Sequence, residues 1–457
     1  MKKILLCMAI ITSSCATQKV MDPKSTDPRL VTESKIKGSF EVIPFLKDLP
    51  AKRTRLSNGL TLTVVEDESS PTFAYQTWFN IGSKHEVPGK TGLAHLFEHM
   101  MFKGTKLHRD GEFDSLLEGA GVEGENAYTN NDRTVYVQEL PKKELDLIIH
   151  LESDRLVNLQ VDDASFNTER EVVKNERRFR TENSPEGVLQ QLLFETAFQH
   201  HPYRWPVIGY EQDLNVMNAQ DAREFYEKFY SPDRATIVVV GDVDAESVLK
   251  KVITAYGSLL AKNTPDPIHE VEPKSNAQKR KRIQLNMENS KLWMVFQIGD
   301  QDREKFEIIQ TLLTDGNASR LERALVDSGV ASDVTSGSLG LHDTDLFLIT
   351  VDLQNGKSPL AAESIVLREL ERLKKSPVSP DELDRARNLN EFQYLTQLGT
   401  AYGKARFIGQ SEHLFGHVIE GLRFRNKTLT VTAEEIQQTV AQYFRTQSMT
   451  IITGDPK

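Results

Sequence analysis

In the stretch 91-TGLAHLFEHMMFKGT-105, two histidines and a glutamate fall within five residues: His95, Glu98 and His99. On a helix, positions i, i+3 and i+4 share a face, so the three side chains point the same way. Two imidazoles one turn apart reach a single transition-metal ion at roughly 2.0–2.1 Å, and a carboxylate beside them can move a proton. That combination is the chemistry of metal-assisted hydrolysis. The neighbours Leu93, Leu96, Phe97, Met100 and Met101 mark the helix as largely buried. Three polar groups on such a helix are costly unless something pairs them.

A hydrolytic metal centre needs a third protein ligand and an open position for water. The segment 165-SFNTEREVVKNERRF-179 offers carboxylates, with Glu169, Val172, Val173 and Glu176 at i, i+3, i+4 and i+7 along one helical stripe. Taken alone, the same stripe also fits a solvated charged helix whose valines turn inward.

The elements around these residues read as an α+β protein. Strands are expected at Leu60–Val65, after the turn Asn58-Gly59, and at Phe73–Phe79. Thr91 is placed to cap the motif helix, which should run to about Phe102 and end at Gly104. A helix near Asp110–Ala120 precedes a hairpin near Glu125–Gln138. Helices over Lys142–Asn158, Ala164–Phe179 and Ala219–Phe229 follow, then a strand in 234-RATIVVVGDVD-244 and a helix over Ala245–Tyr256.

At 457 residues the chain exceeds one core. The second half echoes the first: KLWMVFQ at Lys291–Gln297 repeats the plan of FAYQTWF at Phe73–Phe79. Likewise, 443-YFRTQSMTIITGDP-456 repeats 229-FYSPDRATIVVVGDVD-244, each an aromatic helix end, a turn, an apolar strand and Gly-Asp. A period of roughly 200 residues indicates a duplicated domain, not a solenoid. The expected fold is two homologous, duplicated α/β-sandwich domains. Their boundaries are a signal segment at 1–15, a tether at 16–45, a first domain at 46–260, a linker at 261–280 and a second domain at 281–457.

Lys2 and Lys3, an apolar run at Ile4–Ile11 and small residues after it have the form of a secretory signal. Ile11-Thr-Ser-Ser-Cys15 resembles a bacterial lipoprotein cleavage site with Cys15 as the lipidated residue, although Thr12 stands where leucine is usual. The expectation is an exported lipoprotein of the periplasm or outer membrane. The chain's two cysteines are Cys7 and Cys15, so processing leaves no internal disulfide. The net charge of −10 disfavours nucleic acid, whose phosphates need a basic surface.

The chain resembles the pitrilysin/insulysin family of zinc peptidases, inverted zincins with the order His-x-x-Glu-His, and especially their shorter bacterial and processing-peptidase-like members. The supporting stretches are HLFEHMMFKGT (His95–Thr105), NAYT (Asn126–Thr129), HPYRWPVIG (His201–Gly209) and VGDV (Val240–Val243), and the likeness runs over roughly residues 50–457. The resemblance implies one Zn²⁺ held by His95, His99 and Glu176, with Glu98 as general base and Glu169 orienting a ligand histidine. It implies that Asn126, Ala127 and Tyr128 lie on an edge strand that pairs with extended peptide substrate. It also implies a two-domain body forming half of a clamshell.

One departure stands out. Self-sufficient members carry an arginine and a tyrosine in the second half that grip substrate. In 324-ALVDSGVASDV-334 those places fall to Val326, or Leu325, and to Ser332, while Arg320 matches a different position. The expected function is therefore a zinc endopeptidase for short or unfolded peptides, the zinc subunit of a heterodimer whose homologous inactive partner supplies the missing pair, or otherwise a homodimer. The alternative is a catalytically weak or silent assembly subunit. His413 and His417, one helical turn apart, read as packing residues because no third ligand is near, and His200 and His201 read as a turn.

Overall fold

The computed structural model describes residues 39–457. The signal segment, Cys15 and most of the tether lie outside the described residues. The first seven strands are β1 (Glu41–Leu46), β2 (Leu49–Arg55), β3 (Thr61–Glu66), β4 (Thr72–Phe79), β5 (Glu123–Thr129), β6 (Thr134–Pro141) and β7 (Ala235–Gly241). They form one sheet in the order β1-β2-β3-β7-β4-β6-β5. The other five are β8 (Lys279–Leu285), β9 (Lys291–Ile298), β10 (Ala331–Ser338), β11 (Asp345–Leu353) and β12 (Thr450–Pro456), in the order β10-β11-β9-β12-β8.

The two sheets share a plan. In the first, β3 and β7 are parallel and each neighbour from β7 through β4 and β6 to β5 is antiparallel. In the second, β8 and β12 are parallel and the neighbours from β12 through β9 and β11 to β10 are antiparallel. Strand for strand, β3-β7-β4-β6-β5 maps onto β8-β12-β9-β11-β10, which is the duplication that the FAYQTWF and Gly-Asp echoes imply.

Helices of the first half are α1 (Leu93–Met100), α2 (Glu112–Ala120), α3 (Leu145–Asn158), α4 (Asp163–Arg177), α5 (Pro185–Ala197), α6 (Glu211–Val216), α7 (Ala219–Phe229) and α8 (Ala245–Tyr256). Those of the second are α9 (Arg303–Leu313), α10 (Pro359–Lys375), α11 (Pro380–Gln397), α12 (Ala401–Phe415), α13 (Val418–Thr430) and α14 (Ala433–Tyr443). None of these helices is long and apolar enough to cross a membrane.

Both sheets are covered on both faces, which explains unbroken apolar runs such as IVVV in β7. On one face of the first sheet, Leu62, Val64, Phe73, Tyr75, Ile237 and Val239 pack with Leu96, Phe97 and Met100 of α1. The other face, with Val65, Ala74, Trp78, Val238 and Val240, meets Ala405 and Ile408 of α12. Conversely, Leu189 and Leu193 of α5 pack on Val295 and Ile452 of the second sheet. Each half thus lends a helix to the other's sheet.

Three expectations need correction. The tether does not run to residue 45: β1 begins at Glu41, and its alternation buries Ile43 and Phe45. Pro44 lies between them, tolerated because β1 is the outermost strand. At its other end the expected linker gives way early, since Lys279 and Arg280 open β8. Thr91 does not cap α1, which starts at Leu93 behind Gly92 in the left-handed region (φ +89°) and stops at Met100, short of Phe102.

Candidate metal centre

Helix α1 is fixed from its N-terminus. The carboxylate of Glu86 accepts the backbone N–H groups of Gly92 (2.9 Å) and Ala94 (2.8 Å), replacing the missing cap side chain. The hydroxyl of Thr91 donates to Asp213 (2.6 Å) and accepts from the Tyr210 N–H (2.9 Å). Gly92 and Gly209 allow the two chain segments to touch. A Cβ on Gly92 would lie 2.5 Å from the Ile208 carbonyl oxygen, and one on Gly209 would lie 2.2 Å from that of Thr91. The HPYRWPVIG stretch therefore forms the seat of α1.

With Leu96, Phe97 and Met100 in the core, His95, Glu98 and His99 face α4 and β5. On α4, Asp162 caps the first turn by accepting from Ala164 and Ser165, and Phe166 and Val173 are buried. That packing turns Glu169 and Glu176 towards α1, and Val172 is left exposed. The charged-surface reading of this stripe is thereby set aside.

Glu176 Oε2 lies 3.4 Å from His99 Nε2 and 3.8 Å from His95 Nε2. All three potential ligand atoms lie within 4.8 Å of one another. Ligands of a tetrahedral ion with bonds near 2.0–2.1 Å stand about 3.3 Å apart, so the donor set, two imidazoles and a carboxylate, fits zinc. The other oxygen of Glu176 is held by Arg180 Nη1 at 2.6 Å, which leaves Oε2 facing the histidines. Glu169 Oε2 is 3.3 Å from His99 Nδ1, and its Oε1 accepts from Lys103 at 2.8 Å.

Burial holds His95 down to about 4, reinforced by the neighbouring His99 charge, so its imidazole is neutral. Burial also opposes charge on His99, but hydrogen bonds to Glu169 and Glu176 outweigh it and raise His99 to about 9. Glu98 is raised by burial, partly offset by the Thr129 hydroxyl, which donates to it at 2.5 Å. A carboxyl raised in this way suits a general base.

Asn126, Ala127 and Tyr128 lie on β5, the outer strand of the first sheet, paired through Ala127 with Tyr136 and through Tyr128 with Val135. Among the described residues its other edge has no strand neighbour. Ala127 packs on the core beneath α1, whereas Tyr128 turns to the opposite face, edge-on to Trp78. A cavity of 240 Å³ opens beside the triad, lined by His95, Thr129, Glu176, Arg180, Phe194 and Trp205 among others.

Sequence reasoning missed Thr129, Arg180, Lys103 and Glu86 at this site. Thr129 was signalled by strand alternation, two residues from Ala127. Glu86 and Lys103 gave no local signal, since their partners come from the fold. His413 binds Asn80 (2.7 Å) and His417 caps α13, so the two do not converge. Val326 ends a π-helical turn over Glu322–Val326, and the Ser332 hydroxyl donates to the Asp352 carbonyl. Arg320 is taken up by Glu382 in a two-point pair (2.7 and 2.8 Å).

Residues 62–211 match the family model Insulinase (Peptidase family M16), and residues 217–390 match Peptidase M16 inactive domain. Zinc protease PqqE of Helicobacter pylori is 30% identical over 87% of this chain and 91% of its own length. This chain belongs to the insulinase family of peptidases. Mitochondrial-processing peptidase subunit beta of Blastocladiella emersonii is 25% identical, with 88% of each chain covered. The crystal structure of a protease from Helicobacter pylori superposes with a TM-score of 0.85 at 27% identity, covering 89% of this chain and 99% of that one. The two matched halves differ in their chemistry: α9, which takes the place of α1 in the duplicate, reads REKFEIIQTLL and contains no histidine.

Proposed function

We propose that this chain is a zinc-dependent endopeptidase acting on short or unfolded peptides. The observation that carries this reading is the convergence of His95 Nε2, His99 Nε2 and Glu176 Oε2 beside the Glu98 carboxylate. Held by those three atoms, a zinc ion would supply a Lewis acid that polarises the scissile carbonyl and lowers the pKa of a water towards 7.

The chain's own residues do the rest. Glu98 accepts the proton of the attacking water and returns it to the leaving amine. Thr129 holds the Glu98 carboxylate in place through its hydroxyl. Glu169 accepts the Nδ1–H of His99, which fixes the ring so that Nε2 faces the metal position, and Lys103 neutralises the other oxygen of Glu169. The free edge of β5, with Asn126, Ala127 and Tyr128, pairs with the backbone of an extended peptide, so folded substrates are excluded.

The second half contributes no guanidinium or phenol at Val326 and Ser332. We assign those donors to a homologous partner subunit that closes the other half of a clamshell; the relative named as a processing-peptidase subunit supports an assembly of this kind. Export as a lipoprotein anchored through Cys15, in the periplasm or outer membrane, completes the proposal. A silent assembly subunit would have no use for a base at Glu98 or for its half-buried Thr129 partner.

The test is Glu98→Gln. The variant should keep one zinc per chain and lose turnover of an unstructured quenched peptide by a thousandfold or so, about 4 kcal/mol of barrier. Turnover at the wild-type rate with zinc bound would overturn the assignment. Full activity of the chain alone would overturn the need for a partner.

A further inference from the structure

A second cavity, of 470 Å³, lies on the face of the first sheet away from the metal site, between the β5–β6 turn, α9, α11, α12 and α13. Its lining includes Arg133, Arg303, Arg406, Arg425, Glu307 and Tyr394. Two of the four arginines are neutralised: Arg303 by Asp345 (3.0 Å), and Arg425 by Glu391. Arg133 and Arg406 are not. Arg133 lies over the Trp78 ring (5.4 Å), and its Nε and Nη1 are buried without a hydrogen-bond partner. Arg406 is exposed, and both cations act on the Tyr128 phenol. Among the described residues neither has a carboxylate within ion-pairing reach. Glu307, the carboxyl in the lining, is pushed up to about 7 by burial together with Asp315 and Asp345, so near neutral pH it carries only part of a negative charge against the two cations.

The position of Tyr128 connects this cavity to the sheet edge. In β5, Thr129 faces Glu98 and the metal site, whereas Tyr128 faces Trp78 and the arginines. A peptide strand added to β5 would alternate in step. Side chains paired with Ala127 and Thr129 would point towards the metal cavity, and those paired with Tyr128, or two residues away from it, towards Arg133 and Arg406. Two unneutralised cations, one with buried unmet donors, favour an anionic group there.

We propose that this cavity is a specificity pocket for acidic side chains of the bound peptide, read at every second position on the face opposite to the metal. The inference rests on the pairing of substrate with β5. It does not require turnover.

The test is direct binding. Zinc-loaded Glu98→Gln protein is titrated with fluorescently labelled peptides in which a single Glu, or Gln as control, is walked along one sequence. Glu should bind about tenfold tighter than Gln at alternating positions, the size of one partly desolvated charge pair. Arg406→Gln, an exposed substitution that leaves the packing intact, should erase the difference, and Arg133→Lys, which keeps the charge, should retain most of it. Equal binding of Glu and Gln peptides, a gain without alternation, or an unchanged gain in Arg406→Gln would each overturn the proposal. Failure of the wild-type chain to cleave any of these peptides bears on the peptidase reading alone, because the binding series is read without catalysis.

Discussion

Glu169 shows how one residue links packing to chemistry. Its helix buries Phe166 and Val173, which leaves its carboxylate between His99 and Lys103. Replacing it by Gln removes the anionic acceptor from His99 and leaves Lys103 facing a neutral amide. Zinc affinity should fall about 10–100-fold in a chelator competition, with little change in thermal midpoint of the zinc-free protein. The residues of the triad were legible because their spacing on helices is itself the signal. His95, Glu98 and His99 share a face by periodicity, and the resemblance picked Glu176 from a stripe that periodicity left ambiguous. Glu86 and Lys103 were not legible, because each acts on a group brought to it by a loop or a neighbouring helix. Arg180 stands four residues beyond Glu176, a spacing that does pair opposite charges along a helix, and it could have been read once Glu176 was chosen.

Among the elements, strands and helices with strong periodicity were readable, and their ends were not. The expected cap Thr91 is diverted to Asp213, and the N-terminus of α1 is closed by a carboxylate five residues earlier. β1 escaped notice because the long polar stretch before it reads as a tether, yet its period of two buries Ile43 and Phe45. Helix α9 carries a different consequence. It holds Glu307 in the arginine-lined cavity, where burial and two neighbouring aspartates raise it from 4.5 to about 7. The folded state binds this proton more tightly than the unfolded chain does. Stability from this group is therefore complete below about pH 4.5 and is lost as pH rises through 7. For a partly buried residue the effect is of the order of 2 kcal/mol. Glu307→Gln should flatten the fall in thermal midpoint between pH 5 and pH 8 and raise the midpoint at pH 8.

The whole molecule is held together by exchange. The duplicated plan was visible in the paired FAYQTWF and Gly-Asp echoes, but not the fact that α12 covers the first sheet and α5 the second, since such contacts span the full chain. Lys84 joins the halves across the seam, bonding Asp132 (3.0 Å) and Asp343 (3.1 Å). Gly409 sets the closeness of the exchange: a Cβ there would lie 2.1 Å from Trp78 Cε2 in a fully packed interface. Gly409→Ala should destabilise by about 2–3 kcal/mol, read as a lowered midpoint in scanning calorimetry, because the indole has no room to yield. The seam matters for function because it sets Trp78 behind Tyr128 of β5, and β5 beside Glu98. Activity as a whole depends on the metal that the two imidazoles and Glu176 would hold. The most direct test is the zinc content of the purified wild-type and Glu176→Gln proteins, measured alongside peptide hydrolysis before and after chelation. One zinc per wild-type chain, lost in Glu176→Gln, with hydrolysis abolished by chelator and restored by zinc, is the predicted result. Stoichiometric zinc in Glu176→Gln, or hydrolysis that survives removal of the metal, would contradict it.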